Sequence, residues 1–303
     1  MKSLIVRRSS YLKFLPLIAC LPLVCGYAAA VQARSLAEIL QSGEIRFCVS
    51  PFPPQDTVEP ADCRENCKFG GYSYDLAMAF VEALGKGLKP KFMRVEWDEQ
   101  FFNKEGKVVR EDAYTPELLA SGKCDLFPGL TKVGWRLNKF DFVTLNPSRM
   151  VVVVNKASKA QFTKPADLGG KLASTMKDSS WQTWLEEQNK TVYAANPIRI
   201  KLVPAQDVLK AVDIGQADFA LSDSELAMWF INNDLKNSVT AFAVGSKTEI
   251  AWAFRKDDKD LQAAVQKFFD AQRPVKDSAL NKIWIKNYGM TVNEFIETVN
   301  QMK

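Results

Sequence analysis

Leu172-Ala-Ser-Thr-Met176 opens the stretch of sequence that decides the fold of this 303-residue chain. It is a short β-rich run, and a helical pattern follows it at residues 179–187. A second β-rich run at 199–203, a helix at 205–214 and a third β-rich run at 218–221 complete the stretch. Strands that alternate with helices in this way are typical of a parallel α/β architecture.

The same alternation occurs earlier in the chain. Ile45-Arg-Phe-Cys-Val49 is a β-rich run that ends at the breaker run Ser50-Pro-Phe-Pro-Pro54. The other predicted elements of this first set are a helix at 73–84 stopped by Gly85, a strand at 91–95, a helix at 115–120 and a strand at 124–127.

The apolar run Met150-Val-Val-Val-Val154 separates the two sets. After the second set, residues 249–254 are β-rich, and helical patterns follow at 258–271 and 278–286. The chain is therefore expected to build one α/β lobe, cross to another and return. A single continuous sheet of about eight strands is the alternative.

The composition limits the classes of function. The chain is 47% hydrophobic and 25% charged, so it can bury a sizeable core. It contains no histidine, which excludes Ser-His and Cys-His nucleophiles and zinc sites that need imidazole. No metal site or cofactor is predicted. The formal charge of +5 falls to about +1 without the basic, acid-free first 33 residues, so no binding to nucleic acid or to an anionic membrane is expected.

Residues 1–33 are predicted to be a secretory signal, with a basic start, an apolar run and small residues before the cleavage site. Cleavage is expected after Ala33, with Ala30 as an alternative site. The apolar run is shorter than the ~20 residues that a transmembrane anchor requires. Leu17-Ile-Ala-Cys20 also fits a lipobox, which would tether the protein through a lipid on Cys20. In either case the sequence predicts a periplasmic protein.

Four cysteines remain after the predicted signal, namely Cys48, Cys63, Cys67 and Cys124. An even number in an oxidising compartment indicates disulfides, and four cysteines allow three pairings. The spacing of Cys63 and Cys67 differs from that of redox and zinc motifs, and a small disulfide loop is the favoured interpretation. Cys48 and Cys124 either form a second disulfide or are buried thiols.

Loops at the carboxyl ends of strands are where α/β proteins bind ligands, and three such loops stand out. Gly129-Leu-Thr131 follows a predicted strand and precedes Arg136, whose guanidinium could hold a carboxylate beside the Thr131 hydroxyl. Asp178-Ser179-Ser180 starts a helix whose free N–H groups attract anions, and Asp223 directly follows another strand. The plain alternatives are a solvated arginine on a turn and ordinary helix capping by Asp and Ser.

Together with the segments around them, these loops resemble the family 3 extracellular solute-binding proteins, the periplasmic amino-acid receptors of ABC importers. The resemblance covers essentially all of residues 36–290. The segments that carry it are residues 45–54, Gly71-Tyr-Ser-Tyr-Asp75-Leu, Ser121-Gly-Lys-Cys-Asp125, Leu130-Thr131 through Arg136 to Asp141-Phe142, Asp167-Leu-Gly-Gly-Lys171, Gly215-Gln-Ala-Asp218, Ile250-Ala-Trp-Ala-Phe-Arg-Lys256 and Trp284 to Gly289.

The resemblance implies a fold and a domain organisation. The fold class would be α/β, with two Rossmann-like lobes joined by two crossover strands, as in type II periplasmic binding proteins. Lobe 1 is expected over residues 34–148 plus 248–303, and lobe 2 over residues 149–247. The crossovers are expected at 148–154 and 247–254.

The resemblance also implies a ligand site. The family's carboxylate-binding Arg falls on Arg136, its partner hydroxyl on Thr131, its second-lobe anion contacts on Ser179 and Ser180, and its ammonium-binding Asp on Asp223. Such a clamp selects the zwitterion of an α-amino acid. Gly129 belongs to the same predicted site. Phe52 and Trp97 are expected to form its walls, although core packing explains either aromatic residue as well.

The sequence departs from the family pattern in several places. Asp178 stands where the family usually has Gly, which adds a negative charge near the carboxylate site. Insertions occupy residues 55–69 and 98–113. Ser50 stands where receptors of basic amino acids tend to have an acid, so nothing favours lysine or arginine as the ligand.

The predicted function is binding without chemistry. A monomer would capture a small polar ligand, an amino acid or a similar solute, and deliver it to the membrane permease of an ABC importer. One alternative is a ligand-sensing domain that acts on a membrane signalling partner. Another is an enzyme similar to cyclohexadienyl dehydratases, for which Glu225 is the only nearby candidate acid. Glu225 is expected to be a solvated helix residue instead.

Overall fold

The structure is a computed structural model that describes residues 33–85 and 87–302. The predicted signal, apart from Ala33, lies outside the described residues, and so does the lipobox cysteine Cys20. Among the described residues, no helix has the length and apolar character needed to span a bilayer.

The described part of the chain alternates between strands and helices. In chain order the strands are β1 Glu44–Val49, β2 Thr57–Glu59, β3 Lys68–Gly70, β4 Lys89–Arg94, β5 Phe127–Thr131, β6 Asp141–Asn155, β7 Leu172–Thr175, β8 Arg199–Leu202, β9 Phe219–Asp223 and β10 Ser238–Phe254. The α-helices are α1 Leu36–Ser42, α2 Tyr72–Leu84, α3 Glu117–Ala120, α4 Ser180–Lys190, α5 Val208–Asp213, α6 Ser224–Asn233, α7 Lys259–Gln272, α8 Ala279–Tyr288 and α9 Val292–Gln301.

These elements form an α/β fold with two Rossmann-like lobes joined by two crossover strands. In one lobe β1 and β4 pair in parallel, and β1 continues toward β5 through a parallel bridge between Phe47 and Leu126. In the other lobe β7 pairs in parallel with β8 and β9. The alternative of one continuous eight-stranded sheet is wrong, because six strands form one sheet and β1 and β4 form another.

The crossovers are the long strands β6 and β10, which pair antiparallel from one lobe into the other. The six-stranded sheet has the order β5-β10-β6-β9-β7-β8, so β6 and β10 lie side by side near its middle. Met150 pairs with Val244 and the adjacent Arg149 pairs with Lys247, which leaves two extra residues, Gly245 and Ser246, on β10. This bulge interrupts the ladder where the chain passes between the lobes.

Each lobe has a hydrophobic core of its own. The valines of β6, 151–154, are 2% exposed or less because β9 and β10 flank the strand and helices cover its faces. They form one cluster with Trp181, Leu185 and Val212 from α4 and α5. The other large cluster joins β1 and α2 to the helices α7, α8 and α9. The rigid cores place the strand ends, and hence the loops between the lobes.

Two disulfides are present. Cys63 is bonded to Cys67, the small loop that the sequence favoured. Cys48 is bonded to Cys124, a pair that the sequence left open, with Cα atoms 5.6 Å apart. The second bond ties β1 to the segment that leads into β5.

One predicted strand is displaced. The strand expected at 124–127 begins at Phe127 instead, so Gly129 and Thr131 lie within β5 and do not form a loop after it. The β5 strand pairs with β10, where Ile250 lies opposite Thr131. Pro128 and Gly129 interrupt the β-rich pattern of the sequence, but tertiary pairing with β10 overrides this local preference.

Candidate functional site

All eight residues that the sequence assigned to ligand binding line one cavity between the lobes. The cavity leaves about 30 Å³ of space for the centres of water-sized molecules. The eight are Phe52, Trp97, Gly129, Thr131, Arg136, Ser179, Ser180 and Asp223. The structure therefore brings together residues from the ends of strands in both lobes. Their role in binding a ligand stays a prediction.

Arg136 lies in a 3-10 turn, Gly134–Asn138, and is completely buried. Its Nη1 donates to the Thr131 carbonyl oxygen at 2.9 Å, and its Nη2 donates to the Asp178 carbonyl oxygen at 3.1 Å. The guanidinium also lies over the Phe101 ring, 4.9 Å from its centroid. Its Nε has no hydrogen-bond partner among residues 33–85 and 87–302. The guanidinium is thus fixed by two hydrogen bonds, and its Nε–H donor is left without an acceptor among the described residues.

Arg136 keeps its positive charge at neutral pH. Burial lowers the pKa of its guanidinium to about 10, while the nearby charges of Asp223 and Asp178 act in the opposite direction. A pKa near 10 leaves the group protonated throughout the physiological range. The alternative of a solvated arginine on a surface turn is wrong.

Asp223 ends β9 and occupies the N-cap position of α6, but its side chain makes no capping hydrogen bond within the described residues. Its Oδ2 accepts a hydrogen bond from the Thr131 hydroxyl at 3.4 Å, and its Oδ1 has no partner in the described part of the chain. Burial raises the pKa of this carboxyl to about 6, while Arg136, Thr131 and Trp181 lower it. Helix capping does not account for Asp223, because its carboxylate accepts no hydrogen bond from the first N–H groups of α6.

Ser179 and Ser180 differ in what their side chains do. The Ser179 hydroxyl accepts from the Gln182 N–H at 3.0 Å and donates to the Met176 carbonyl oxygen at 2.7 Å. The Ser179 side chain therefore caps α4, as the alternative interpretation of the sequence expected. Ser180 is the first residue of α4 and lines the cavity. The N–H groups of this helix start have no intrahelical acceptor, so they favour negative charge in the cavity.

Four buried polar atoms of residues that line this cavity make no hydrogen bond of normal geometry to any described residue. They are Arg136 Nε, Asp223 Oδ1, Trp97 Nε1 and Trp181 Nε1. Buried polar groups in proteins are almost always hydrogen-bonded. Phe52 packs between the two indoles, 5.9 Å from the Trp181 ring and 6.5 Å from the Trp97 ring. The residues that line the cavity thus combine aromatic rings with buried polar groups that keep hydrogen-bonding capacity, which suits a polar ligand.

Five further residues line the cavity that the sequence did not identify as ligand contacts: Gln55, Met176, Trp181, Leu226 and Ile250. Gln55 donates from Nε2 to the Gly129 carbonyl oxygen at 2.9 Å, and its Oε1 accepts from the Tyr72 hydroxyl at 3.3 Å. Gly129 has a φ of +75°, and a Cβ there would lie 1.8 Å from Gln55 Nε2. Gln55 follows the Pro-rich exit of β1, which was the available signal.

The family model that describes bacterial extracellular solute-binding proteins, family 3, matches residues 45–287. The chain belongs to this family. The solved structures that resemble it share its fold, that of type II periplasmic binding proteins.

Two solved structures illustrate the likeness in fold. An ABC uptake transporter substrate-binding protein from Streptococcus pneumoniae with bound histidine has a TM-score of 0.66 and 19% identity, over 84% of this chain and 96% of that one. An ancestral amino-acid-binding protein, a precursor of cyclohexadienyl dehydratase, has a TM-score of 0.65 and 20% identity, over 83% of this chain and 98% of that one. At these identities the likeness concerns the fold.

A curated relative of this family 3 chain is a larger enzyme. The membrane-bound lytic murein transglycosylase F of Desulfosudis oleivorans is 28% identical over 207 residues, which is 66% of this chain and 40% of that protein. The transglycosylase F of Pseudomonas putida is 26% identical over 72% of this chain and 42% of its own length. The chain thus spans about two-fifths of the length of the curated relatives that it matches.

Glu225 is buried, so the expectation of a solvated helix residue is wrong. It is 1% exposed, and its Oε2 accepts from the Ser148 hydroxyl at 2.6 Å and from the Ser224 hydroxyl at 3.3 Å. Burial, with the negative charge of Asp223, raises the pKa of Glu225 to about 8. The face of α6 that carries Glu225 packs against β6, and the residue does not line the cavity of this family 3 site.

Proposed function

We propose that this protein is a solute-binding protein whose ligand is the zwitterion of an α-amino acid. One observation carries the proposal: Arg136 Nε and Asp223 Oδ1 are both buried, both without a partner among the described residues, and both at the same cavity. Opposite charges that are removed from water attract a ligand with complementary charges strongly. Arg136 would hold the carboxylate and Asp223 the ammonium group.

Thr131 supports this assignment because it contacts both charged residues. Its carbonyl oxygen accepts from Arg136 and its hydroxyl donates to Asp223. Both charged side chains thus contact a single residue. This arrangement suits a ligand whose ammonium and carboxylate groups are attached to one carbon atom.

We further propose that the ligand closes the two lobes, residues 34–148 plus 248–303 and residues 149–247. Arg136 lies before the first crossover strand, and Asp223 lies between the two crossovers. A ligand that contacts both residues stabilises the closed form over the open one. Small-angle scattering is expected to give a smaller radius of gyration with the ligand than without it.

Delivery to an ABC permease by a monomeric, exported protein is the fuller form of the proposal. The S. pneumoniae neighbour is an ABC uptake substrate-binding protein, which supports this role. The transglycosylase F relatives favour a second candidate, in which such a domain senses a ligand for an attached or membrane-bound partner. Genes for a permease and an ATPase beside this one would favour transport, and a gene for a signalling enzyme would favour sensing.

The third candidate, a dehydratase-like enzyme, has less support. A general acid must lie within hydrogen-bond reach of the group that it protonates. The Glu225 carboxyl is bonded to Ser148 and Ser224 and is not part of the cavity wall. We therefore propose no catalytic role for it.

Titration calorimetry with the twenty protein amino acids tests the proposed ligand class. At least one is expected to bind, and its α-carboxamide and its des-amino analogue are expected to bind more weakly. If none of the twenty binds, the ligand is not a protein amino acid and the assignment of the two charges fails.

A further inference from the structure

Arg110 belongs to the insertion at 98–113 and reaches across to the start of α4. Its Nη2 lies 2.9 Å from Asp178 Oδ1, and its Nη1 lies 3.0 Å from Glu186 Oε2. The Asp178 side chain is only 10% exposed, whereas that of Glu186 is 37% exposed. The bond to Asp178 is therefore the better shielded of the two, and it links the insertion to the segment that carries Ser179 and Ser180.

Arg110 is held in place through both its side chain and its backbone. Its guanidinium lies over the Trp135 ring, 5.6 Å from the centroid, and its carbonyl oxygen accepts from Lys139 Nζ at 3.3 Å. The neighbouring Val109 N–H donates to the Tyr114 hydroxyl at 3.2 Å, and this hydroxyl donates to the Phe101 carbonyl oxygen at 2.7 Å. The insertion is thus an ordered support that holds the charge of Arg110 in a fixed position.

Asp178 is also the residue whose backbone contacts Arg136. Its carbonyl oxygen accepts from Arg136 Nη2 at 3.1 Å, and its N–H donates to Gln182 Oε1 at 2.6 Å. The residue has a φ of +56°, a left-handed conformation that Asp tolerates better than most residues. The backbone of Asp178 thus contacts the Arg136 guanidinium, while its carboxylate pairs with Arg110.

Two arginines therefore face one aspartate near the cavity. A carboxylate this close to Arg136 would attract it and would compete with a ligand carboxylate for the free Nε. Lys177 is another cation near Asp178, but its Nζ is 3.7 Å away and its side chain is 65% exposed, so it neutralises the charge less well. Arg110 is the main counter-ion of Asp178.

We propose that Arg110 is a positioning residue of the ligand site: it holds the Asp178 carboxylate away from Arg136, so that Arg136 stays available to a ligand carboxylate. The proposal rests on the proposed function, in which Arg136 binds that carboxylate. It also explains how a site with Asp in place of Gly at 178 can take an anionic group. The insertion that supplies Arg110 supplies the compensating charge.

Four variants test the proposal by calorimetry with the amino acid that the wild type binds most tightly among the twenty. Arg110→Gln is expected to weaken binding about tenfold or more, because the uncompensated Asp178 carboxylate then pairs with Arg136. Asp178→Asn in addition is expected to restore affinity to within about threefold of the Asp178→Asn single variant. Glu186→Gln removes only the more exposed partner, and we expect less than about a threefold effect.

If Arg110→Gln binds as tightly as the wild type, or if the double variant stays as weak as Arg110→Gln, the inference fails. The second result would show that Arg110 only holds the insertion against α4 and does not act through the charge of Asp178. In the same series, the α-carboxamide of the ligand is expected to lose little affinity in Arg110→Gln, since it has no carboxylate to be repelled.

A second measurement needs no ligand and so separates this inference from the proposed function. The Nε–Hε resonance of Arg136 in ¹⁵N NMR spectra, assigned by its loss in Arg136→Lys, is expected to shift in Arg110→Gln and to return in Arg110→Gln/Asp178→Asn. An unchanged resonance in Arg110→Gln would overturn the inference. If no amino acid binds the wild type but the resonance shifts and returns, the ligand class is wrong and the role of Arg110 holds.

Discussion

The Thr131 hydroxyl lies 3.4 Å from Asp223 Oδ2, although the two residues are 92 positions apart in the chain. Thr131 is the last residue of β5 and Asp223 is the last residue of β9, so the contact joins the end of a strand in one lobe to the end of a strand in the other. It marks the point where the two sides of the cavity meet.

Removing the Arg136 guanidinium is expected to weaken ligand binding on the order of tenfold to several hundredfold, the usual loss for a charge-assisted bond in a dry site. Calorimetry with Arg136→Ala measures it. The variant should also bind the ligand and its α-carboxamide equally well. Arg199→Ala is the control, since that side chain is 67% exposed. A loss of equal size in the control, or none in Arg136→Ala, contradicts the assignment.

Binding is expected to weaken as the pH falls through about 6, the pKa to which burial raises the Asp223 carboxyl. Below that pH Asp223 is protonated and no longer attracts the ligand ammonium group. Calorimetry between pH 5 and pH 8, a range chosen to bracket that pKa, should show this dependence in the wild type and lose it in Asp223→Asn. Asp234→Asn, at an exposed position, should keep it.

The buried Glu225 carboxyl should make the protein less stable at alkaline pH. Burial and the Asp223 charge raise the pKa of Glu225 from 4.5 to about 8. Between those values the folded protein keeps a proton that the unfolded chain releases, so the free energy of unfolding falls as the pH rises, by at most roughly 1.4 kcal/mol per pH unit.

Glu225→Gln carries no such proton and can still accept the Ser148 hydrogen bond. Chemical denaturation at a series of pH values should therefore give a flatter dependence for this variant than for the wild type. Glu187→Gln, at an exposed position of α4, is the control and should follow the wild type. Parallel curves for Glu225→Gln and the wild type would mean that Glu225 is ionised when buried.

The Cys48–Cys124 disulfide should contribute more to stability than the Cys63–Cys67 disulfide. It joins residues that are 76 positions apart in the chain, whereas the Cys63–Cys67 disulfide joins residues that are 4 positions apart. A longer loop restricts the unfolded chain more, and removal of such a bond typically costs roughly 2–5 kcal/mol. Thermal unfolding of the double variants Cys48→Ala/Cys124→Ala and Cys63→Ala/Cys67→Ala compares the two bonds. An equal drop in Tm would contradict the expectation.

The elements that the sequence predicted well are those whose pattern is local. Strands β1 and β7 are short β-rich runs, and α2 and α4 lie within a residue or a few of their predicted bounds. The sequence analysis placed Glu225 on a helix, which is α6, but it did not predict the bounds of that helix, because residues 226–231 are all apolar and show no alternation between a buried and a polar face. The α9 helix was missed, although the sequence contained a signal for it: Val292, Phe295 and Val299, which are buried, recur at helical spacing.

The candidate site shows the same division. Arg136 and Asp223 could be placed because strand ends and the family resemblance point to them. The burial of Glu225 and the contact of Arg110 with Asp178 depend on which helices and loops pack together. Arg110 and Asp178 are 68 positions apart, and no spacing rule relates them. An ion pair such as this one, which is proposed to act on the ligand only through another residue, does not form a recognisable sequence motif.

The bulge at Gly245 and Ser246 on β10 has a mechanical consequence. Neither residue is opposite a partner in the β6 ladder, so the two-stranded ribbon can flex there without breaking a ladder hydrogen bond. Neither residue lines the cavity. The stiffness of the joint and the chemistry of the cavity are thus encoded in separate residues. Under the proposed closure, a change in the length of the bulge is expected to alter how far the lobes move, while the residues that line the cavity stay the same.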